Sequence, residues 1–129
     1  MLKKTITYTD YNGVERTEDF YFNLNKREVI SMELGIAGGM SEMIKKITKE
    51  QDTPNLIKLF EDLILKSYGE KSADGKQFKK SKELSEAFSQ TEAYSNLFVE
   101  LLTDATAGAD FVNALLAPLA DTKALPTNN

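Results

Sequence analysis

Residues 3–22 read KKTITYTDYNGVERTEDFYF, and this stretch decides the fold class. Apolar and polar side chains alternate in both halves, which are rich in the Thr, Ile, Tyr and Phe residues that favour a pleated surface. Residues 10–13 between them are Asp-Tyr-Asn-Gly, and Asn and Gly tolerate the positive φ of tight turns. We therefore predict a β-hairpin with strands near 3–10 and 14–22. An isolated hairpin is only marginally stable in water, so this one must pack against helices or another chain.

The rest of the chain predicts five or six helices with recognisable start and stop signals. The clearest start is Asn25, which has the spacing of a capping box with Glu28. The other predicted starts are Ser41, Thr53 with Pro54, Ser81 and Thr91. The last predicted helix covers residues 106–116. The predicted stop signals are Gly35, Gly38, Gly39, Gly69 and Pro118. A hairpin followed by a bundle of five to six helices is an α+β fold in which helix is dominant.

One polar segment interrupts the helical part of the chain. Residues 70–80 predict a loop around Asp74 and Gly75, and Phe78 is its only large apolar side chain. We expect this loop to be an adaptable contact surface that Phe78 anchors, either to the core or to a partner.

A chain of 129 residues has the length of one domain. We place a single globular domain at residues 1–118, with the hairpin at 3–22 and the helical part at 25–118. Residues 119–129 predict a flexible C-terminal tail, because they follow the last helix and include a further proline and two terminal asparagines.

The composition excludes several kinds of chemistry. The chain has no Cys and no His, so it has no disulfide, no thiolate nucleophile, no Cys/His zinc site and no usual general base. We therefore predict a protein that is not an enzyme and has no catalytic, cofactor-binding or metal-binding residues. No apolar run approaches the roughly 20 residues of a membrane span, so we expect an intracellular protein without a membrane partner.

The net charge of −4 is unevenly distributed along the chain. Residues 1–82 carry a balance of +2, whereas residues 83–129 carry −6. One interpretation is a solvated acidic half, and the other is a dipolar subunit suited to head-to-tail association.

Two further segments have both a functional and a structural interpretation. Residues 35–39 are rich in glycine, but they follow a predicted helix and lack the ending of a phosphate-binding loop, which favours a helix stop. The basic cluster around Phe78 consists of Lys71, Lys76, Lys79, Lys80 and Lys82. Acidic residues interrupt this cluster and the protein is acidic overall, so we expect no nucleic-acid partner.

Aromatic side chains are the residues that most often anchor protein interfaces. The chain has five Tyr and seven Phe, more than a small core needs, although most of its helical apolar faces are core. Our candidates for protein contacts are Tyr68, Phe78, Tyr94 and Phe98.

Three stretches of this sequence resemble a known family. Residues 68–81 (YGEKSADGKQFKKS), residues 91–105 (TEAYSNLFVELLTDA) and the opening residues 8–13 (YTDYNG) are similar to segments of the small tail assembly chaperones of long-tailed bacteriophages. The resemblance runs through most of residues 5–118 and includes no catalytic motif.

The resemblance implies a function in phage tail morphogenesis. Such chaperones self-associate and coat the long, helical, aggregation-prone tape measure protein in the host cytoplasm while the tail tube polymerises, and they are not retained in the mature virion. The alternative is a small virion structural protein, such as a tail completion or connector subunit, which would be found in purified particles.

The resemblance also implies a longer form that is made by ribosomal frameshifting and recruits the tail tube protein. Beyond Glu83, only the codons of Asn96-Leu97 and of Pro118-Leu119 allow a standard slippery heptamer. We predict the second site, so that the longer product diverges after Leu119. The other possibility is that no slip occurs and the tail is simply a chain end.

Overall fold

A computed structural model describes residues 1–118 and places a β-hairpin before six helices, which confirms the predicted α+β class. The elements in chain order are β1 (Leu2–Thr9), β2 (Glu15–Phe22), α1 (Lys26–Leu34), α2 (Gly39–Lys49), α3 (Thr53–Ser67), β3 (Tyr68–Lys71), β4 (Phe78–Lys79), α4 (Lys82–Ser89), α5 (Glu92–Thr103) and α6 (Ala105–Leu116). The predicted flexible tail, 119–129, and the predicted point of divergence after Leu119 lie outside the described residues. No helix within the described range is long and apolar enough to cross a membrane.

The predicted N-terminal hairpin is confirmed, with a slightly longer turn. β1 and β2 pair antiparallel in one unbroken register, from Leu2 opposite Phe22 to Thr9 opposite Glu15. The strands are shorter at the turn than predicted, because the Asp10 carboxylate holds the turn together. It accepts hydrogen bonds from the Asn12 N–H at 2.9 Å, the Val14 N–H at 3.0 Å and the Arg16 Nε at 2.6 Å. These donors hold the pKa of Asp10 below its usual value.

The prediction of a loop at residues 70–80 was wrong for the residues at both ends of this segment, which are strands of a second hairpin. β3 pairs with β2 and with β4, which completes a four-stranded sheet in the order β1-β2-β3-β4. The turn is built on Asp74, whose carboxylate accepts from the Ser72 hydroxyl at 2.6 Å and from the Lys76 N–H at 3.0 Å. Strands of two and four residues show no sequence alternation, so only their tertiary partners reveal them.

Gly69 was predicted to stop α3, but it lies inside β3 and is buried. The helix ends at Ser67, and Tyr68 is already extended. A Cβ on Gly69 would lie 2.6 Å from the Lys79 carbonyl oxygen and 2.7 Å from Cε2 of Phe78. The glycine is therefore required for the close approach of β4.

Three of the six helix starts follow the predicted capping signals. Asn25 and Glu28 form the complete capping box, and the side chains of Ser81 and Thr91 cap α4 and α5. Two starts differ from the prediction: α2 begins at Gly39 rather than at Ser41, and Asp52 rather than Thr53 caps α3. The last helix begins at Ala105, one residue before the predicted range, and Asp104 is its cap, for which no residue had been predicted.

The core lies between the sheet and the helices. Phe88 on α4 is 2% exposed and contacts the rings of Phe20 and Phe22 on β2. α5 packs against β1, α3 and α6, so it joins the sheet to the helical layer. The alternation of the hairpin places its apolar face on this core and leaves a face of threonine and charged side chains exposed.

Candidate protein-binding groove

An apolar groove opens between α2 and α6. Its volume is about 480 Å³. The most deeply buried lining residues, Leu59, Phe60 and Leu101, belong to α3 and α5, which form the floor. The complete lining is Ser41, Ile44, Lys45, Thr48, Leu56, Leu59, Phe60, Leu101, Leu102, Ala105, Gly108, Ala109, Val112, Asn113 and Leu116.

Small side chains on α6 keep the groove open. Ala105, Gly108, Ala109 and Val112 recur at helical spacing, so they line one face of the helix. A Cβ on Gly108 would lie 2.6 Å from the Leu101 carbonyl oxygen and 3.0 Å from Cζ of Phe60. The absence of this Cβ allows α6 to pack closely on α5 and α3. The exposed alanines are too small to fill the groove beside them.

The opposite wall comes from α2 and carries Lys45, the only charged side chain among the described residues that line the groove. Ile44 supplies apolar surface, and the Thr48 hydroxyl donates to the Ile44 carbonyl at 2.9 Å. Lys45 lies on the rim, with its ammonium 3.6 Å from the carboxylate of Glu42. The described lining is mostly apolar, so the groove is suited to burying apolar side chains.

The groove has the dimensions of a helix-binding site. The α6 wall spans 12 residues, which corresponds to roughly 18 Å at about 1.5 Å per residue. A guest helix of about three turns could lie along it and insert side chains spaced at i, i+3, i+4 and i+7.

Comparison with known proteins gives a family for this chain. A family model described as phage tail assembly chaperone matches residues 1–123 of the chain. The chain belongs to this family. The match confirms the resemblance that residues 8–13, 68–81 and 91–105 predicted. Neither a curated protein nor a solved structure matches the chain.

Three of the four predicted contact residues lie together in the chaperone, but outside the groove. Tyr68 stacks on Phe88 with ring centroids 4.2 Å apart, and Tyr94 meets Phe88 edge-on at 5.7 Å. Phe98 follows Tyr94 at 6.3 Å. All are half-buried and packed against the core, and burial raises the pKa of both tyrosines above 10.0. Their contact with a partner stays a prediction.

Phe78 lies apart from these three rings. It pairs across the second hairpin with Lys71, and its half-buried ring covers Gly69. The chaperone thus uses Phe78 to close the sheet over a glycine that has no side chain. Its predicted role as a partner anchor also stays a prediction.

Three lysines of the basic cluster near Phe78 make contacts in different parts of the fold. Lys71 lies over the Tyr21 ring at 4.7 Å, and Lys82 pairs with Glu86 at 3.7 Å. Lys80 donates to the Glu28 carboxylate at 2.7 Å and to the Asn23 carbonyl at 2.8 Å, so it ties β4 to the capping box of α1. These lysines are engaged in separate structural contacts.

The glycine-rich segment separates α1 from α2, as the helix-stop interpretation predicted. Gly38 and Gly39 have φ values of 81° and 87°, which glycine adopts without strain. The Glu33 carboxylate accepts from the Met40 N–H at 3.0 Å. A carboxylate therefore already occupies the start of α2.

Sequence reasoning missed the groove, although α6 carries a signal for it. The core face of α6 carries the buried residues Phe111, Val112 and Leu115. A second stripe, which begins at Ala105 and Ala109 and includes Val112 and Leu116, lies on the groove side. A helix with two apolar stripes requires two packing partners, and residues 1–118 supply only one of them fully.

Proposed function

We propose that this chaperone binds amphipathic helical segments of the tape measure protein in the groove between α2 and α6, and that it self-associates along the tape measure protein. The observation that supports this proposal is the open apolar groove, which is long enough for three helical turns and has one charged side chain among its described lining residues. The family match gives the assembly role, and the groove supplies a surface for it.

The size of the groove explains why many copies would be needed. Three or four Leu-sized side chains inserted into it would contribute roughly 1.5–3 kcal/mol each before the costs of association. Those costs are of the same order, so one groove would bind one helical segment weakly. Copies that contact one another along a repetitive helix bind together with a much higher effective affinity.

A charge placed in the groove is expected to weaken tape measure binding. Ala109 and Ala114 are both exposed on α6, but only Ala109 lines the groove. In Ala109→Lys, an ammonium beside Lys45 would be buried without a partner under the guest helix. Affinity for a purified helical segment of the tape measure protein, measured by calorimetry, should fall at least about tenfold.

Ala114→Lys is the matched control, because it makes the same change on another face of the same helix. It should bind the tape measure segment like the unmodified chaperone. Equal affinities for the two variants would contradict binding in the groove.

The remaining parts of the proposal concern the context of assembly. We propose that the chaperone acts without catalysis in the host cytoplasm and is not retained in the mature virion. Mass spectrometry of purified particles tests this, because a tail completion or connector subunit would be present in them at structural stoichiometry.

A longer frameshifted form would recruit the tail tube protein. α6 ends at Leu116, so an extension that diverges after Leu119 would follow the last described helix. The codons of Ala117, Pro118 and Leu119 test this site, since a sequence that is not slippery there would exclude it.

A further inference from the structure

β1 is an edge strand whose outward backbone groups are largely free. The Asp10 N–H donates to the Val14 carbonyl at 2.8 Å, so in this register the even residues of β1 face β2 and the odd residues face outward. The Thr7 carbonyl confirms this direction, because it accepts from the Asn96 side chain at 3.1 Å. Within residues 1–118, the N–H groups of Thr5, Thr7 and Thr9 have no hydrogen-bond partner.

This edge lacks several of the usual protections against pairing. Proteins commonly protect sheet edges with short strands, prolines, bulges, charged side chains or a covering helix. β1 has eight residues, no proline and an unbroken register, whereas β4 at the opposite edge has only two residues. Lys4, which would otherwise repel a second strand, is paired with Glu100 at 3.4 Å.

Exposed apolar side chains flank the same edge. The large apolar residues that are most exposed among the described residues are Met1, Tyr11, Val14, Leu34 and Val99. Met1 precedes β1, Tyr11 and Val14 lie in its turn, and Val99 is on α5, whose Asn96 reaches β1. Four of these five residues therefore lie at the ends or the side of the free edge, as expected for a surface that is covered in an assembly.

We propose that β1 pairs antiparallel with β1 of a second copy across a two-fold axis at Ile6, which joins the two sheets into one continuous sheet. In this register Thr5 lies opposite the partner's Thr7, and Lys4 lies opposite the partner's Tyr8. No like charges face each other, so the strand is complementary to itself, as a two-fold interface requires. The inference rests on the proposed self-association and specifies its surface.

The second copy fits this edge better than an unrelated extended peptide would. Pairing the two strands brings the two α5 helices side by side beneath the joined sheet, where Val99 of each copy is covered. Asn96 must release the Thr7 carbonyl, which then accepts from the partner's backbone. Strand pairing and helix contact thus arise from one symmetric operation.

Two proline variants test the interface. Thr7 and Thr17 are exposed cross-strand partners with hydroxyls 2.9 Å apart, and both N–H groups point away from the β1–β2 ladder. The Thr17 N–H points toward the opposite edge of the hairpin, and Thr17 lies outside the part of β2 that pairs with β3. Sedimentation should show that Thr7→Pro weakens dimerisation at least about tenfold, because each copy loses one interface hydrogen bond and gains a clash. Thr17→Pro should dimerise like the unmodified chain.

Salt separates this interface from a head-to-tail charge contact. Backbone pairing should persist in 1 M salt, where the Debye length is about 3 Å. A dimer that dissociates in that salt, or equal dimerisation of the two proline variants, would overturn the proposal.

A covalent test covers the possibility that a proline disturbs the hairpin. The chain has no Cys, so a single cysteine variant contains no other thiol that could form a disulfide. A mixture of Thr5→Cys and Thr7→Cys should form a disulfide-linked dimer faster than either variant mixed with Thr17→Cys, and equal rates would overturn the register. Tape measure binding is measured separately, so an oligomer that uses another surface defeats this inference and leaves the proposed function intact.

Discussion

Replacing Phe88 with alanine is expected to lower the free energy of unfolding by about 3–5 kcal/mol. The Phe88 ring lies 5.3 Å from that of Phe20, 5.8 Å from that of Phe22, 4.2 Å from that of Tyr68 and 5.7 Å from that of Tyr94. These partners belong to β2, β3 and α5, so one side chain joins the sheet to the helices. Its removal would leave a cavity that no single element can fill.

Denaturant unfolding followed by circular dichroism measures this loss. Phe78→Ala is the matched control, because it deletes the same side chain from a half-buried position outside the core cluster. Its effect should be less than half that of Phe88→Ala. Equal effects of the two substitutions would show that the aromatic cluster does not hold the layers together.

The second large effect is expected at Gly108, where valine should cost about 2–3 kcal/mol. The first added carbon would already lie 2.6 Å from the Leu101 carbonyl oxygen, and a backbone oxygen of α5 cannot move without displacing the helix. The branch of valine adds further atoms to the same contact. α6 would therefore move away from α5 and α3, which would deform the groove and weaken tape measure binding as well.

Ala109→Val provides the comparison at the next position of the same helix. Ala109 is exposed, so its substitution should change the free energy of unfolding by no more than about 0.5 kcal/mol. A stable Gly108→Val variant with normal binding would contradict the close packing of α5 and α6 that shapes the groove.

The parts of the fold that were predictable are those that depend on local chemistry. Asp10 and Gly13 set the first turn through contacts within five residues, and the capping box of Asn25 and Glu28 lies within one helical turn. A single sequence contains all the atoms of such contacts, so its pattern is sufficient.

The second hairpin could not be predicted because its determinants are distant in sequence. Tyr68 and Gly69 become strand residues by pairing with Phe22 and Tyr21, and Lys80 is fixed by Glu28, 52 residues away. Without these partners the segment shows only turn residues and charges. The prediction of a polar loop followed from that local composition.

The candidate site escaped prediction for a related reason. Aromatic content directed attention to Tyr68, Tyr94 and Phe98. The structure packs Tyr68 and Tyr94 against Phe88, and Phe98 against Tyr94. The groove depends instead on the small residues Ala105 and Gly108, whose importance lies in the space that they leave. Such a space exists only once four helices are placed together.

Hydrogen–deuterium exchange of the chaperone with and without the tape measure protein is the most direct test of the central claim, which is that the groove between α2 and α6 binds this partner. The account predicts slower exchange in residues 41–48 and 105–116 of the complex, and little change in the second hairpin at 68–79. Protection confined to the second hairpin and α4, with the groove helices unchanged, would contradict it.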